Sequence, residues 1–119
     1  MKPAVSVTFQ PRIRVLRGAD IALGPGKADL LQQIAAHGSI TEAAGNLRMS
    51  YMRAWALIKT MERCFAEPLV KASRGGAAHG GAQLTAAGRR VLALYRRMER
   101  ETARATSIQR GQMAKLIRS

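Results

Sequence analysis

Ser39-Ile40-Thr41-Glu42-Ala43-Ala44-Gly45-Asn46-Leu47-Arg48-Met49-Ser50-Tyr51-Met52-Arg53-Ala54-Trp55-Ala56-Leu57-Ile58 is the stretch that decides the fold. Ser39 followed by Glu42 has the Ser-x-x-Glu form of a capping box, and Ile40, Ala43, Ala44 and Leu47 line one apolar face behind it, which predicts a short helix. Ser50 can cap a further run from Tyr51 to Arg63. Ala44 is small enough for two helices to cross there. Leu47, Met49, Ala54 and Leu57 follow at the offsets that lock a recognition helix onto its predecessor. The pattern is that of a helix-turn-helix, with Arg48 where many such motifs carry glycine.

Working outward, Leu30, Leu31, Ile34 and Ala35 fall at helical spacing from Lys27, and Gly38 is placed to take a left-handed C-cap. Residues 27–63 therefore read as a three-helix core. Ahead of it, Val5, Val7 and Phe9 alternate with polar residues, Ile13 and Val15 resume the alternation after Pro11, and Gly18-Ala19-Asp20 supplies a turn, so 5–23 reads as an N-terminal β-hairpin. Glu67-Pro68 ends the helical stretch. Residues 69–84 form the outline of a β-wing around a glycine- and alanine-rich loop, and Thr85 opens a long helix over 85–107. The tail, 108–119, either continues this helix after a break at Gly111 or frays. The expected fold class is mainly α with a small β component: one winged helix-turn-helix domain over 1–119, with an N-terminal β-hairpin and a long C-terminal dimerisation helix.

The chain has 119 residues, 20 Lys+Arg and 7 Asp+Glu, giving a net charge of +13. One core is what this length can support, which excludes a large multidomain enzyme. A hydrophobic fraction of 47% excludes a disordered basic tail. So basic a folded chain points to a polyanionic partner, nucleic acid ahead of anionic membrane. Residues 1–40 and 41–84 each carry +3, whereas 85–119 carry +7. Cys64, the only cysteine, excludes an internal disulfide framework and the usual thiolate zinc site, and is expected to be a small buried hydrophobe. No apolar run approaches the ~18 residues of a bilayer span and no signal-peptide core follows Met1, so a cytoplasmic, soluble protein is expected. The two histidines lack carboxylate or serine partners at recognisable spacing, and no Walker or Rossmann glycine pattern is present. An enzyme, a metal site and a bound cofactor are not expected.

At 100° per residue, the third helix separates into two arcs. Leu57, Met61, Ala54, Ile58 and Trp55 form the core side. Lys59, Met52, Arg63, Ala56, Thr60 and Arg53 form a cationic and polar side with small residues between. On the long helix six arginines, Arg89, Arg90, Arg96, Arg97, Arg100 and Arg104, share one face. Val91, Leu94, Tyr95, Met98 and Ala105 lie roughly opposite, with Thr102 on the same stripe. A dimer interface backed by a basic face is one reading; a solvated arginine face on a core helix is the other.

The runs Gly24-Pro25-Gly26-Lys27, Gly38-Ser39-Ile40, Ala43-Ala44, Met49-Ser50-Tyr51, Ala54-Trp55, Pro68-Leu69-Val70, Gly75-Gly76, Gly80-Gly81-Ala82 and Leu84-Thr85 resemble the N-terminal domain of ModE-type regulators, bacterial molybdate-responsive transcription factors. The resemblance covers about Arg12 to Glu101. A broader similarity, through Ala43-Ala44, Ser50, Ile58, Glu62, Pro68-Leu69 and Leu84-Thr85-x-x-Gly88, is to the LysR-type winged helix. The resemblance implies a homodimer joined through the long helix on a palindromic operator in double-stranded DNA. Family members sense molybdate through C-terminal domains, for which a chain ending at Ser119 is expected to have no room. The wing departs from the family by carrying Ala77-Ala78-His79 where a lysine is common.

Ser50, Tyr51, Met52 and Arg53 open the recognition helix, which reaches base edges in the major groove. Arg53 can bind guanine O6 and N7 bidentately, or hold a phosphate, or be solvated. Met52 would touch a thymine methyl or sit exposed, and Ala56 leaves room for close approach. Lys59, Thr60 and Arg63 are read as phosphate ligands, with Ser39, Thr41 and the amino end of the second helix as another phosphate site. Arg74, Gly75, Gly76 and His79 place a wing tip against the minor groove or phosphate, or form a plain hairpin tip. Trp55 is expected to pack under the wing and His37 to face a helix C-terminus. Two other functions stay open: a non-specific architectural DNA-binding protein, and a dimerisation partner that modulates a full-length regulator.

Overall fold

A computed structural model describes residues 5–73 and 81–118. Among the described residues the element order is β1 (Val15–Arg17), β2 (Asp20–Leu23), α1 (Pro25–His37), α2 (Ile40–Asn46), α3 (Tyr51–Cys64), β3 (Val70–Ser73), β4 (Gly81–Leu84), α4 (Ala86–Ala105) and α5 (Ser107–Leu116). The arrangement is a winged helix-turn-helix with small antiparallel sheets, β1 on β2 and β3 on β4.

Helix α1 is the centre of the core. Its Ala28, Leu30, Leu31 and Ile34 are fully buried, and Ala43 and Ala44 of α2, Ala54, Ile58 and Met61 of α3, and Leu69, Ala82 and Leu84 at the wing base close around them. Pro25 begins α1 two residues before the position read from hydrophobic spacing, since a missing N–H costs nothing in a first helical turn. Gly38 ends it at φ 67, a conformation that suits glycine. The Gly38 N–H donates to the Ile34 carbonyl at 2.8 Å, while its own carbonyl accepts the Ala82 N–H at 2.9 Å. One glycine thus stops the first helix and anchors the wing to it. His37 lies in the last turn of α1, where a C-terminal dipole favours a basic side chain.

Several expectations are corrected. The alternating segment from Val5 to Arg14 is not a strand: pairing is confined to Val15–Leu23, Leu16–Ile21 and Arg17–Asp20. Alternation satisfies a strand only where another edge receives its hydrogen bonds, and Val5, Val7 and Phe9 are exposed instead. The long helix breaks at Thr106, not Gly111, which lies inside α5. The Thr106 hydroxyl donates to the Thr102 carbonyl at 2.7 Å, a local side-chain bond that competes with the helical ladder. Arg110 reaches back over the break, its Nη2 donating to the Ala103 carbonyl at 2.8 Å. Cys64 is half-buried.

Tyr95 is also corrected. Although it belongs to the apolar stripe of α4 by spacing, it is only 1% exposed. Its hydroxyl donates to the Ile13 carbonyl at 2.7 Å, so the side chain is taken up by its own chain and is not available to a dimer interface.

Candidate nucleic-acid interface

Two serines shape the helix-turn-helix. Ser39 Oγ accepts the Glu42 N–H at 3.1 Å, and Ser50 Oγ accepts the Arg53 N–H at 3.0 Å. Both hydroxyl oxygens therefore start helices by satisfying a donor of the first turn, while each O–H remains free to donate. Between them, Arg48 has φ 58. The turn reverses through a left-handed residue, which is why glycine is common at this position. The Met49 N–H donates to the Ala44 carbonyl at 3.0 Å and closes the turn.

Burial of Ala54, Ile58 and Met61 turns the opposite side of α3 outward. Met52 is 79% exposed and Tyr51 is exposed too. Arg53, Ala56, Lys59 and Arg63 are exposed, with Thr60 half-buried among them. The expected reading face is thus gathered on one side of one helix. Trp55 is half-buried against the core, as read from spacing. It meets the Tyr51 ring edge-on at 6.2 Å and carries Lys59 Nζ at 5.8 Å from its centroid.

The cations of this face differ in what holds them. Lys59 lies 3.5 Å from the Glu62 carboxylate. Arg63 lies 3.8 Å from the Asp20 carboxylate, and its Nη2 donates to Thr60 Oγ1 at 3.4 Å. Thr60 in turn donates to the Ala56 carbonyl at 3.1 Å. Among the described residues Arg53 has no ionic or hydrogen-bonding side-chain partner. Thr41, at the amino end of α2, is exposed. The wing-tip residues Arg74, Gly75, Gly76 and His79 lie outside the described residues.

Lys27 and Asp20 join this region without having been picked out as site residues. Lys27 is half-buried near the start of α1. Burial lowers its pKa, and the Arg53 charge lowers it further against the opposing pull of Asp20. Neither is visible in one dimension, because each meets α3 only across the fold.

The arginine face of α4 is partly spent inside the chain. Arg96 donates to Asp29 and Gln32 of α1 at 2.8 Å each and to Glu99 at 3.0 Å. Burial works against its charge, yet the Asp29 and Glu99 carboxylates outweigh this and raise its pKa. Arg89 donates to the Leu84 carbonyl, and Arg97 pairs with Glu101. On the other side of α4, Val91 and Thr102 are half-buried, Ala105 is exposed, and Leu94 and Met98 are 50% and 42% exposed. Among the described residues no three His, Cys, Asp or Glu side chains converge on a possible metal position, and no helix is long and apolar enough to cross a membrane.

Residues 27–89 match the family described as bacterial regulatory helix-turn-helix protein, lysR family. The chain is 41% identical over 93 residues to the molybdenum transport protein ModE of Azotobacter vinelandii, a match covering 78% of this chain and 34% of that protein. To the molybdenum-pterin-binding protein MopA of Rhodobacter capsulatus it is 34% identical over 105 residues, covering 86% of this chain and 40% of that one. The chain therefore spans well under half the length of these relatives. Among solved structures, the CbnR DNA-binding domain in complex with DNA is similar with a TM-score of 0.58 at 23% identity, covering 74% of this chain and 95% of that one. The likeness to ModE-type DNA-binding domains read from the motifs is present at these identities, and the fold is that of the CbnR domain.

Proposed function

The chain belongs to the lysR family of bacterial regulatory helix-turn-helix proteins, and from that membership we propose that it regulates transcription by binding a palindromic operator in duplex DNA as a homodimer. In this reading α3 enters the major groove, with Arg53 at a guanine edge, Met52 at a thymine methyl and Tyr51 beside them. Lys59, Thr60, Arg63, Ser39, Thr41 and the Ser50 hydroxyl hold phosphate, and Ala56 lets the helix approach closely. Arg74, Gly75, Gly76 and His79 extend the contact through the wing. Val91, Leu94, Met98, Thr102 and Ala105 of α4 face the second copy. Carrying the relatives' printed names over to this chain makes the regulated genes molybdenum-related.

The observation that carries the proposal is the state of Arg53. It sits at the exposed start of the recognition helix with no anionic partner among the described residues, so an incoming base edge displaces no internal salt bridge. The charge of +7 over residues 85–119 favours a second reading, non-specific DNA bridging. Against it stands the use of Arg96, Arg89 and Arg97 in contacts within the chain.

Selection of bound sequences from a random duplex pool, with and without molybdate, followed by competition at ~150 mM salt, separates the two. A specific regulator enriches a two-fold-symmetric site whose half-sites are ~34 Å apart and binds it at least about 1,000-fold tighter than random duplex. A bridging protein enriches nothing and shows a salt slope of about −0.9 per phosphate contacted.

A further inference from the structure

The exposed apolar surface of this chain lies mainly away from α4. With Tyr95 buried, Leu94 and Met98 are the large exposed hydrophobics that α4 offers. Beyond the break at Thr106, however, Ile108, Met113 and Leu116 are 71%, 61% and 84% exposed, and Ile117 is exposed as well. The extended segment carrying Val7 and Phe9 runs against this helix and leaves a groove of 680 Å³ between them, walled by Phe9 on one side and Met113, Ala114 and Ile117 on the other. Arg110 braces the groove: its guanidinium sits 5.1 Å from the Phe9 ring centroid and also bonds the Ala103 carbonyl. The groove is therefore a held shape, bordered by the exposed ridge of Met113 and Leu116.

We infer that this groove is closed by a second copy of the chain, the Met113–Leu116 ridge of each protomer entering the groove of the other about a two-fold axis. This rests on the dimeric reading above and moves its main contact from the α4 stripe to α5 and the N-terminal segment. Two observations choose a second copy as the occupant. First, ridge and groove lie on the same helix, which is the self-complementarity that an isologous interface requires. Second, the accessible surface is 8725 Å² for 12.9 kDa, about 2,400 Å² more than a compact monomer of that mass exposes. That excess exceeds the ~800 Å² per partner buried in a standard stable interface, whereas two side chains on α4 fall short of it.

Sedimentation equilibrium on the whole chain tests this, comparing wild type with Met113→Lys/Leu116→Lys and with Leu94→Lys/Met98→Lys. Because all four side chains are exposed, circular dichroism is expected to show unchanged helicity and melting. The α5 pair is expected to weaken dimerisation about 100-fold or more, and the α4 pair less. If the α5 pair leaves the dimer intact while the α4 pair dissociates it, the inference fails and the dimeric reading stands. A wild type that is monomeric at its highest soluble concentration overturns both. Should lysines disturb α5, Leu116→Cys in a Cys64→Ser background supplies a second readout. A covalent dimer formed under mild oxidation supports the inference, and a thiol that stays monomeric while wild type dimerises overturns it.

Discussion

Gly88 packs so closely on Leu69 that a methyl group at its Cα would overlap the Leu69 carbonyl oxygen and stand 3.0 Å from the carbonyl carbon. That carbonyl cannot retreat, because it accepts the Thr85 N–H at 3.0 Å while the Thr85 hydroxyl donates to the Pro68 carbonyl at 2.7 Å. Thr85 Oγ1 also accepts the Gly88 N–H at 3.0 Å. The Pro-Leu and Leu-Thr-x-x-Gly pieces of the sequence are thus two halves of one joint. Gly88→Ala is expected to cost about 3 kcal/mol and lower the melting temperature by about 10 °C or more. Gly111→Ala is the control. Nothing lies within 4 Å of the added methyl, so a gain of about 0.5–1 kcal/mol is expected from helix propensity. Thermal and urea unfolding followed by circular dichroism check both.

On the recognition helix, Arg53→Ala and Lys59→Ala are expected to fail differently. Losing Arg53 removes discrimination at one base pair of the selected operator, about 1–3 kcal/mol, and relaxes preference there. Losing Lys59 weakens all duplexes alike and lowers the salt slope by about 1. Its pairing with Glu62 is exposed on both sides, so protein stability changes little. Binding isotherms on the operator, its single-base variants and random duplex, at several salt concentrations, distinguish the two outcomes.

Tyr95→Phe leaves the Ile13 carbonyl without its donor and is expected to cost about 1–2 kcal/mol near neutral pH. Burial, reinforced by the Glu99 carboxylate, raises the Tyr95 pKa. The native phenol therefore keeps its proton above the ordinary value of about 10, while the unfolded chain gives its proton up. Native protein binds more protons in that window, so wild-type stability falls as pH rises through it. In Tyr95→Phe this part of the decline disappears. Urea unfolding at pH 8 to 11 measures the difference.

Arg48→Gly relieves a left-handed residue of its Cβ and is expected to stabilise the protein by up to about 1 kcal/mol, with the unfolded chain's added freedom offsetting part of the gain. It should lower DNA affinity only by the loss of one exposed charge. Paired measurements of unfolding and of binding at two salt concentrations test both effects.

What was legible in the sequence follows the range of the interactions. Ala54, Ile58 and Met61 announce the buried side of α3 through a period of a few residues, and the same period places Met52, Arg53 and Lys59 outside. Ser39, Ser50 and Thr85 cap their helices through bonds to residues three positions on, which spacing alone reveals. The alternation of Val5, Val7 and Phe9 misleads, since a strand also needs a partner edge. Gly111 misleads because helix propensity is a weaker force than the hydroxyl of Thr106 turned onto its own backbone. The pairings Arg63 with Asp20 and Arg96 with Asp29 join parts of the chain that no periodicity relates. They decide which cations are committed inside the molecule.

The bond from Tyr95 to Ile13 spans 82 positions, and that distance has a meaning in time. During synthesis at about 5–20 residues per second, Ile13 is made some 4–16 s before the side chain that will hold it. The family-matched stretch 27–89 is complete before Tyr95 is added. The helix-turn-helix and its wing base can therefore assemble on the nascent chain while the N-terminal segment is still undocked. Fastening that segment is then a late step, made only when α4 arrives.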